Sequence, residues 1–354
     1  MPDVATLPQC FMEQGYRVLG AGKIFHGRYN ERASWEKYVP RFPDPLPPNR
    51  PVNGIKKTKH FDWGPLDVDD AAMNDYRIMQ WGATQLERNW DEPFFLAVGF
   101  FKPHLPWYAP RKYFEHFPPE SITLPEVLES DLEDLPKIAR DIAKPNGDHR
   151  RVTQSGNWRK AVAGYLATME FADTCVGGLL DALDRSPYAD NTIVVLWGDH
   201  GWHLGEKLHW RKFALWEEAT RNPLMMVVPG VTPAGARCAR TVSLMDVYPT
   251  LADLCGFAPC GHQDGVSLAP LLEHPGAAWE RPAVTTFGRN NHSVRSERWR
   301  YIHYRDGTEE LYDHEADPME WTNLADQPEY ADVKARLAQW LPEVNAPGVP
   351  RDRR

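Results

Sequence analysis

Residues 191–201, NTIVVLWGDHG, set the reading of the chain. Ile193 to Trp197 are apolar without interruption, as in a buried strand covered on both faces, and the run stops at Gly198-Asp199-His200-Gly201. Upstream, Val162, Tyr165, Leu166, Met169, Ala172, Val176, Leu179, Leu180 and Leu183 recur at three- and four-residue intervals, which predicts one apolar stripe on a long helix. Downstream, PLMMVVPG (223–230) predicts a second short apolar strand, and MDVYPTLADLCG (245–256) a helix closed by Gly256. Strand, helix and strand in alternation predict an α/β fold, a mostly parallel sheet with helices on both faces.

The same texture extends toward the N-terminus. ATLPQCFMEQGY (5–16) reads as a short helix closed by Gly15, and RVLGAGKIFH (17–26) as a strand running into a polar end, so the chain opens inside an α/β unit. Residues 39–57 are proline-rich loop, 69–88 have helical spacing, and PFFLAVGFF (93–101) predicts a doubly covered parallel strand ending in Lys102-Pro103-His104. The polar stretch 118–157 predicts an excursion over the surface without chemistry of its own. Beyond Pro270, AVTTF, SVRSERWRYIHY and EELYD read as short antiparallel strands, and 330–344 as a final helix. The expected division is an α/β domain over 1–270 and a small C-terminal α+β subdomain over 271–354.

A net charge of −9 opposes general attraction to nucleic acid, anionic membranes or polyanions, so an anionic substrate has to be held by local cations. No apolar run approaches the length of a membrane span, and MPDVATLPQC carries no export signal, which leaves the compartment open. The five cysteines form no C-x-x-C pair; Cys255 and Cys260 can pair, but buried thiols are the simpler reading. With 14 tryptophans and 32 prolines, the composition favours long ordered loops and aromatic pocket walls.

In an open α/β sheet the ligand sits at the carboxyl ends of the strands, which singles out three clusters. They are Gly22-Lys23-Ile24-Phe25-His26, Lys102-Pro103-His104, and Gly198-Asp199-His200-Gly201 with Lys207, His209 and Lys212 downstream. Asp199 and His200, flanked by glycines, can both turn toward one divalent ion. For an isolated Asp-His pair, capping and gap-filling are the default roles; the surrounding cations reverse that preference. Lys23, His26, His104 and Lys212 supply two fixed cations and two proton carriers, a set suited to a sulfate or phosphate ester. Each taken singly reads as surface charge or an ordinary hydrogen-bonded histidine. Trp107 and Trp202 can wall a sugar pocket, although core packing is the default for any one tryptophan.

GYRVLGAGKIFH, PFFLAVGFFKPHLPW, VVLWGDHGWHLGEKLHWRKFALWEEATRNPLMMVVPG, SLMDVYPTLADLCG and ELYDHEADPMEWTNLA resemble, in order, successive blocks of the type I sulfatases of the iduronate-2-sulfatase-like group. The resemblance implies an alkaline-phosphatase-like α/β domain, a calcium ion, and a formylglycine made from the first residue of a C/S-x-P-S-R motif. By motif, Asp199 and His200 resemble the metal ligands, Lys23, His104 and Lys212 the residues that hold the sulfate oxygens, and His26 the histidine beside the formylglycine. Lys102, Trp107, Trp202 and His203 are the expected substrate contacts, with Trp202 and His203 shaping the choice of sugar. The implied substrate is a sulfated carbohydrate or another sulfate ester. A phosphonate or phosphodiester hydrolase of the same superfamily, or a non-catalytic glycan-binding remnant, is the alternative.

The departure from that family is large. No C/S-x-P-S-R occurs in the 354 residues, and the aspartate pair the family carries early is missing too. The expectation is therefore an N-terminally incomplete, inactive chain: a truncated gene model, a fragment, or half of a split gene whose other part is a possible partner. Bare sheet edge and apolar surface, and so poor solubility, should follow.

Overall fold

A computed structural model describes residues 4–26, 31–56, 58, 60–258 and 263–347. Local signals decide the first elements. The Thr6 hydroxyl accepts from the Gln9 amide and the Gln9 side chain from the Thr6 amide, a capping box that starts α1 (Leu7–Glu13). Then come β1 (Arg17–Gly22), β2 (Lys37–Val39), β3 (Trp63–Leu66), α2 (Asn74–Leu86), β4 (Phe94–Gly99), β5 (Trp107–Pro110) and α3 (Arg111–Glu115). Two short helices, α4 (Lys137–Ala143) and α5 (Asp148–Gln154), precede the long α6 (Trp158–Asp184). The order continues through β6 (Val194–Trp197), β7 (His203–Leu204), β8 (Trp210–Arg211), α7 (Glu217–Thr220), β9 (Leu224–Val227), α8 (Val247–Leu254) and α9 (Ala269–Glu273). It closes with β10 (Ala283–Thr286), β11 (His292–Arg295), β12 (Trp299–His303), β13 (Glu309–Asp313) and α10 (Ala331–Ala338).

These elements form two compact units, one of residues 1–124 with 151–192, the other of 125–150 with 193–354. In the first, β2, β1 and β4 make a parallel sheet in that order, with Arg17 opposite Phe94 and Gly22 opposite Gly99. Helix α2 packs on β1 and β4, and α6 packs on α2 where Gly82 meets Leu179 and Val98. The parallel pair β3 and β5 shares a core with α6 built from Met73, Tyr108, Tyr113, Phe171 and Cys175. This is the α/β architecture expected. The long helix was legible, but its stripe is not wholly interior: Met169 and Leu180 are exposed. Strand β4, expected to be covered on both faces, is only half-buried along its length, and among the described residues β1 is its one strand partner.

In the second unit β6 pairs with β9 antiparallel, Val194 opposite Val227 and Trp197 opposite Leu224. A parallel pairing was expected. The chain instead spends residues 198–223 on a loop, the β7–β8 hairpin and one helical turn, and comes back at the end it left from, as only an antiparallel neighbour does. Neither strand is buried: Trp197 is 46%, Met225 55% and Val227 56% exposed. Strands β10 to β13 form an antiparallel meander with α10 against it over Val294, Tyr301, Leu311 and Leu337. The break expected near residue 270 falls inside this unit.

The stretch 118–157 is no surface excursion. Leu132, Leu135, Ala139 and Ala143 are buried with Leu215, Trp216, Ile302 and Tyr312, and Asp131 lies within the interior beside Lys207. Helices as short as α4 leave too few turns for a legible periodicity. Cys260 lies outside the described residues, and the pairing with Cys255 that the sequence allows falls there with it.

Candidate active site

In the first unit the polar residues after β1 and β4 are held at one sheet end. The Lys23 amide donates to Gly99 O at 2.7 Å. Gly22, at φ +78°, has no room for a Cβ, which would overlap that same carbonyl, so the two strand ends touch only because both residues are glycine. After Gly99, the buried Asp75 carboxylate accepts from the Phe101 and Lys102 amides (2.9 and 2.7 Å) and fixes the turn carrying His104. His104 Nδ1 lies 2.8 Å from Leu105 O, and its ring sits 4.8 Å from that of Phe101. His26 follows on an exposed segment.

Lys102 does not face a ligand. It is buried, and its ammonium donates to Pro106 O at 2.7 Å. Burial pushes its pKa down to about 8 against the pull of Asp44 and Asp75, while burial raises Asp75 despite the amide bonds it receives. Desolvation thus outweighs the attraction within this pair on both sides. Trp107 is likewise interior, packed on Phe61, Trp63 and Tyr165, with its indole N–H donated to Pro103 O at 2.8 Å. Neither residue lines a surface, which corrects the expectation that they touch substrate.

In the second unit the end of β6 delivers Asp199 and His200. The Asn222 side-chain amide donates to Gly198 O, the Gly201 amide donates to Ala219 O at 2.9 Å, and a Cβ on Gly201 would overlap Glu218 O. His200 Nδ1 lies 2.9 Å from Gly201 O, which aims Nε2 at Asp199 Oδ1 (3.5 Å) and at the Lys212 ammonium (2.9 Å). Three of the expected residues, Asp199, His200 and Lys212, therefore meet at one point.

The spacing of Asp199 and His200 fits two ligands of one divalent cation, which would take the His200 Nε2 lone pair and so would have to displace the Lys212 ammonium from it. Two ligand atoms at about 2.4 Å from one ion and at right angles lie about 3.4 Å apart, close to the observed oxygen to nitrogen spacing. The Asp199 carboxylate is exposed, so an ion can reach it. Two ligands are a minority of the six to eight that calcium takes, so the residues present make part of a site.

His203 is buried beside His209, the rings 5.0 Å apart, with Trp216 behind them. Burial, reinforced by His209, holds His203 well below the usual histidine range, and burial takes His209 down to about 4. His203 is a neutral interior side chain and presents nothing to a sugar. Trp202 is nearly buried, its ring 6.2 Å from that of His200.

Sequence reasoning missed what holds the Lys212 loop. Lys207, at φ +54°, donates to Asp131 (2.7 Å) and to Glu320 O. Arg300, wholly buried, bonds Glu217, Glu320, Leu215 O (3.0 Å) and Ser293 Oγ (2.7 Å); Arg295 adds a second cation to Glu217, and His314 reaches Glu320. Glu217, His314 and Glu320 lie close enough to share a metal ion, but the Arg300 guanidinium bonds both carboxylates, and a cation already present there disfavours a second. Apart from Ser293 and His314, which stand 7 and 6 positions from their partners, the paired residues are 20 to 113 positions apart in sequence, so no local pattern could have found the cluster.

The sequence profile of the sulfatase family matches residues 1–257, and that of the N-sulphoglucosamine sulphohydrolase C-terminal region matches 198–346. The chain belongs to the sulfatase family. A sulfatase of Formosa agariphila is 37% identical over 97% of this chain and 70% of its own length. The mouse iduronate 2-sulfatase is 32% identical over 72% of this chain; there the match spans 54% of the relative, little more than half of its length. Among solved structures, a 2-O GAG sulfatase superposes at a TM-score of 0.72 with 24% identity, covering 96% of this sulfatase chain and 73% of the other. The phosphonate monoester hydrolase of Agrobacterium radiobacter superposes at 0.75 with 21% identity, covering 96% and 79%. Likeness at that identity is a likeness of fold. Among the described residues, no helix of this sulfatase chain is long and apolar enough to cross a membrane.

Proposed function

We propose that this chain carries part of the active site of a sulfuric ester hydrolase of the iduronate-2-sulfatase-like group, dependent on calcium and acting on a sulfated carbohydrate. The observation that carries the reading is the meeting of Asp199, His200 and Lys212 at the end of β6 in a sulfatase-family chain. Asp199 and His200 would hold the ion, which when bound supplies positive charge to a sulfate oxygen. Lys212 would bind a further sulfate oxygen, where negative charge grows as the S–O bond breaks; for Lys23 and His104 of the first unit the family resemblance supports the same role, and for His26 that of moving the proton of the attacking group. Trp202 is the remaining candidate for a sugar contact.

The family's nucleophile is a formylglycine in a C/S-x-P-S-R motif, and no such motif occurs in this sequence. That supports the reading that the chain by itself does not turn over. In the purified chain we expect no hydrolysis of 4-nitrophenyl sulfate, together with calcium-dependent NMR shifts at Asp199 and His200 that Asp199→Ala removes. Turnover abolished by Asp199→Ala would overturn the inactivity; absence of any calcium response would overturn the metal assignment. A version carrying the motif should prefer the sulfate ester to phenylphosphonate and bis(4-nitrophenyl) phosphate. The opposite preference transfers the site to the phosphonate and phosphodiester hydrolases. Tight calcium-free binding of a sulfated oligosaccharide favours a non-catalytic role.

A further inference from the structure

The second unit contains a groove that none of the foregoing chemistry uses. It lies among the segment before α8, the start of β10 and the end of α10, and encloses about 490 Å³, within the range of small-molecule sites. Two tryptophans line it. Trp279 is fixed by donating its indole N–H to Thr241 O at 2.9 Å, and Trp340 is 38% exposed. Arg281 lines it too, its guanidinium 5.5 Å from the Trp340 ring, with one N–H donated to Asp264 O at 3.2 Å.

The polar lining is unevenly committed. The Asp246 carboxylate is spent on the Ser243 and Val266 amides, at 2.8 and 3.0 Å. The carboxylates of Asp264 and Glu343 are exposed, and among the described residues neither enters an ion pair. A guanidinium has five N–H donors, so Arg281 keeps most of its fork for other acceptors. Indole faces, a planar donor fork and carboxylate acceptors are the complement of a pyranose, which offers an apolar C–H face and a rim of hydroxyls that both donate and accept. Two free carboxylates against one guanidinium leave the groove net negative and repel a sulfate group.

We infer that this groove binds an uncharged pyranose stretch of a glycan, and that it prefers unsulfated to sulfated saccharide. The inference rests on the carbohydrate reading of the substrate but on none of the catalytic assignments. It gives the chain a second hold on a polysaccharide, at units without sulfate.

The test titrates the intact chain with agarohexaose and chitohexaose as neutral probes and a κ-carrageenan hexaose as the sulfated one, following the Trp340 and Trp279 indole N–H resonances. A neutral probe should move both, and bind at least about fivefold tighter than the sulfated one. Trp340→Ala should abolish the response, Trp340→Phe should keep it because a ring face remains, and Glu343→Gln should narrow the gap between neutral and sulfated probes. The proposal is overturned if no neutral probe shifts either resonance up to about 10 mM, if Trp340→Ala leaves the response intact, or if the sulfated probe binds tighter. Self-association of the chain lost in Trp340→Ala would give the groove to a second copy and equally overturn it. A calcium response at Asp199 without any saccharide response sinks the groove alone; loss of both sinks the functional reading as well.

Discussion

Replacing Arg300 by methionine tests the buried charge cluster at its centre. Methionine keeps much of the apolar stem but deletes the donors to Glu217, Glu320, Leu215 O and Ser293 Oγ. Removing one partner of a buried ion pair costs about 3–5 kcal/mol, because the other charge stays buried. Here Glu217 keeps Arg295 at 3.0 Å and Glu320 keeps His314 at 2.9 Å, which places the cost near the lower bound, about 3 kcal/mol. For a unit of roughly 190 residues, each kcal/mol moves the melting temperature by about 2–4 °C, so the transition should fall by about 6–12 °C. Burial by itself would raise the Glu320 pKa, and Arg300 with His314 outweighs it, holding the carboxyl well below the usual glutamate range. A depressed folded pKa means stability present above the unfolded value and lost as pH falls through the folded one. Methionine removes that depression, so the deficit should shrink as pH drops below about 4.5. Scanning calorimetry at neutral pH and near pH 4 measures both quantities. A shift under about 2 °C, or a deficit that grows on acidification, would refute the reasoning.

Gly201→Ala should displace the Asp199-His200 loop, since the new Cβ overlaps the backbone carbonyls of Glu218 and Arg221; loss of the calcium-dependent shifts together with a lowered melting temperature is the expected result. The Glu218 pKa is pushed up to about 7, chiefly by burial and then by Glu206. A raised folded pKa gives stability that is full below the ordinary glutamate value and is lost as pH rises toward 7, so Glu218→Gln should flatten the decline in melting temperature between about pH 4.5 and 7. Asp75→Ala strips the Phe101 and Lys102 amides of their acceptor and Lys102 of a counter-charge, which should cost about 3 kcal/mol in denaturant titration and shift the His104 ring resonances.

Elements with several turns or an unbroken apolar run were legible. The stripe from Val162 to Leu183 gave α6, and the runs at 17–22 and 94–99 gave β1 and β4, because one periodicity acts over enough residues to dominate. Asp199, His200 and Lys212 were legible because a strand end and a hairpin bring them together within 14 consecutive residues. Lys102, Trp107 and His203 misled because residue type says nothing of which way a side chain points from a turn. The helices at 137–154 and the partnership of Asp131 with Lys207 were hidden for another reason: they depend on contacts far apart in the chain.

The path of the backbone between the two units has a consequence for synthesis and dissection. The polypeptide passes from one to the other at 124/125, 150/151 and 192/193, so neither unit is a contiguous stretch. On the ribosome, the first cannot close until α6 has emerged at Asp184, by which time α4 is already waiting for strands that end only at Asp313. No single protease cut can release either unit intact, and a gene cut at 124 or 192 divides at least one hydrophobic interior.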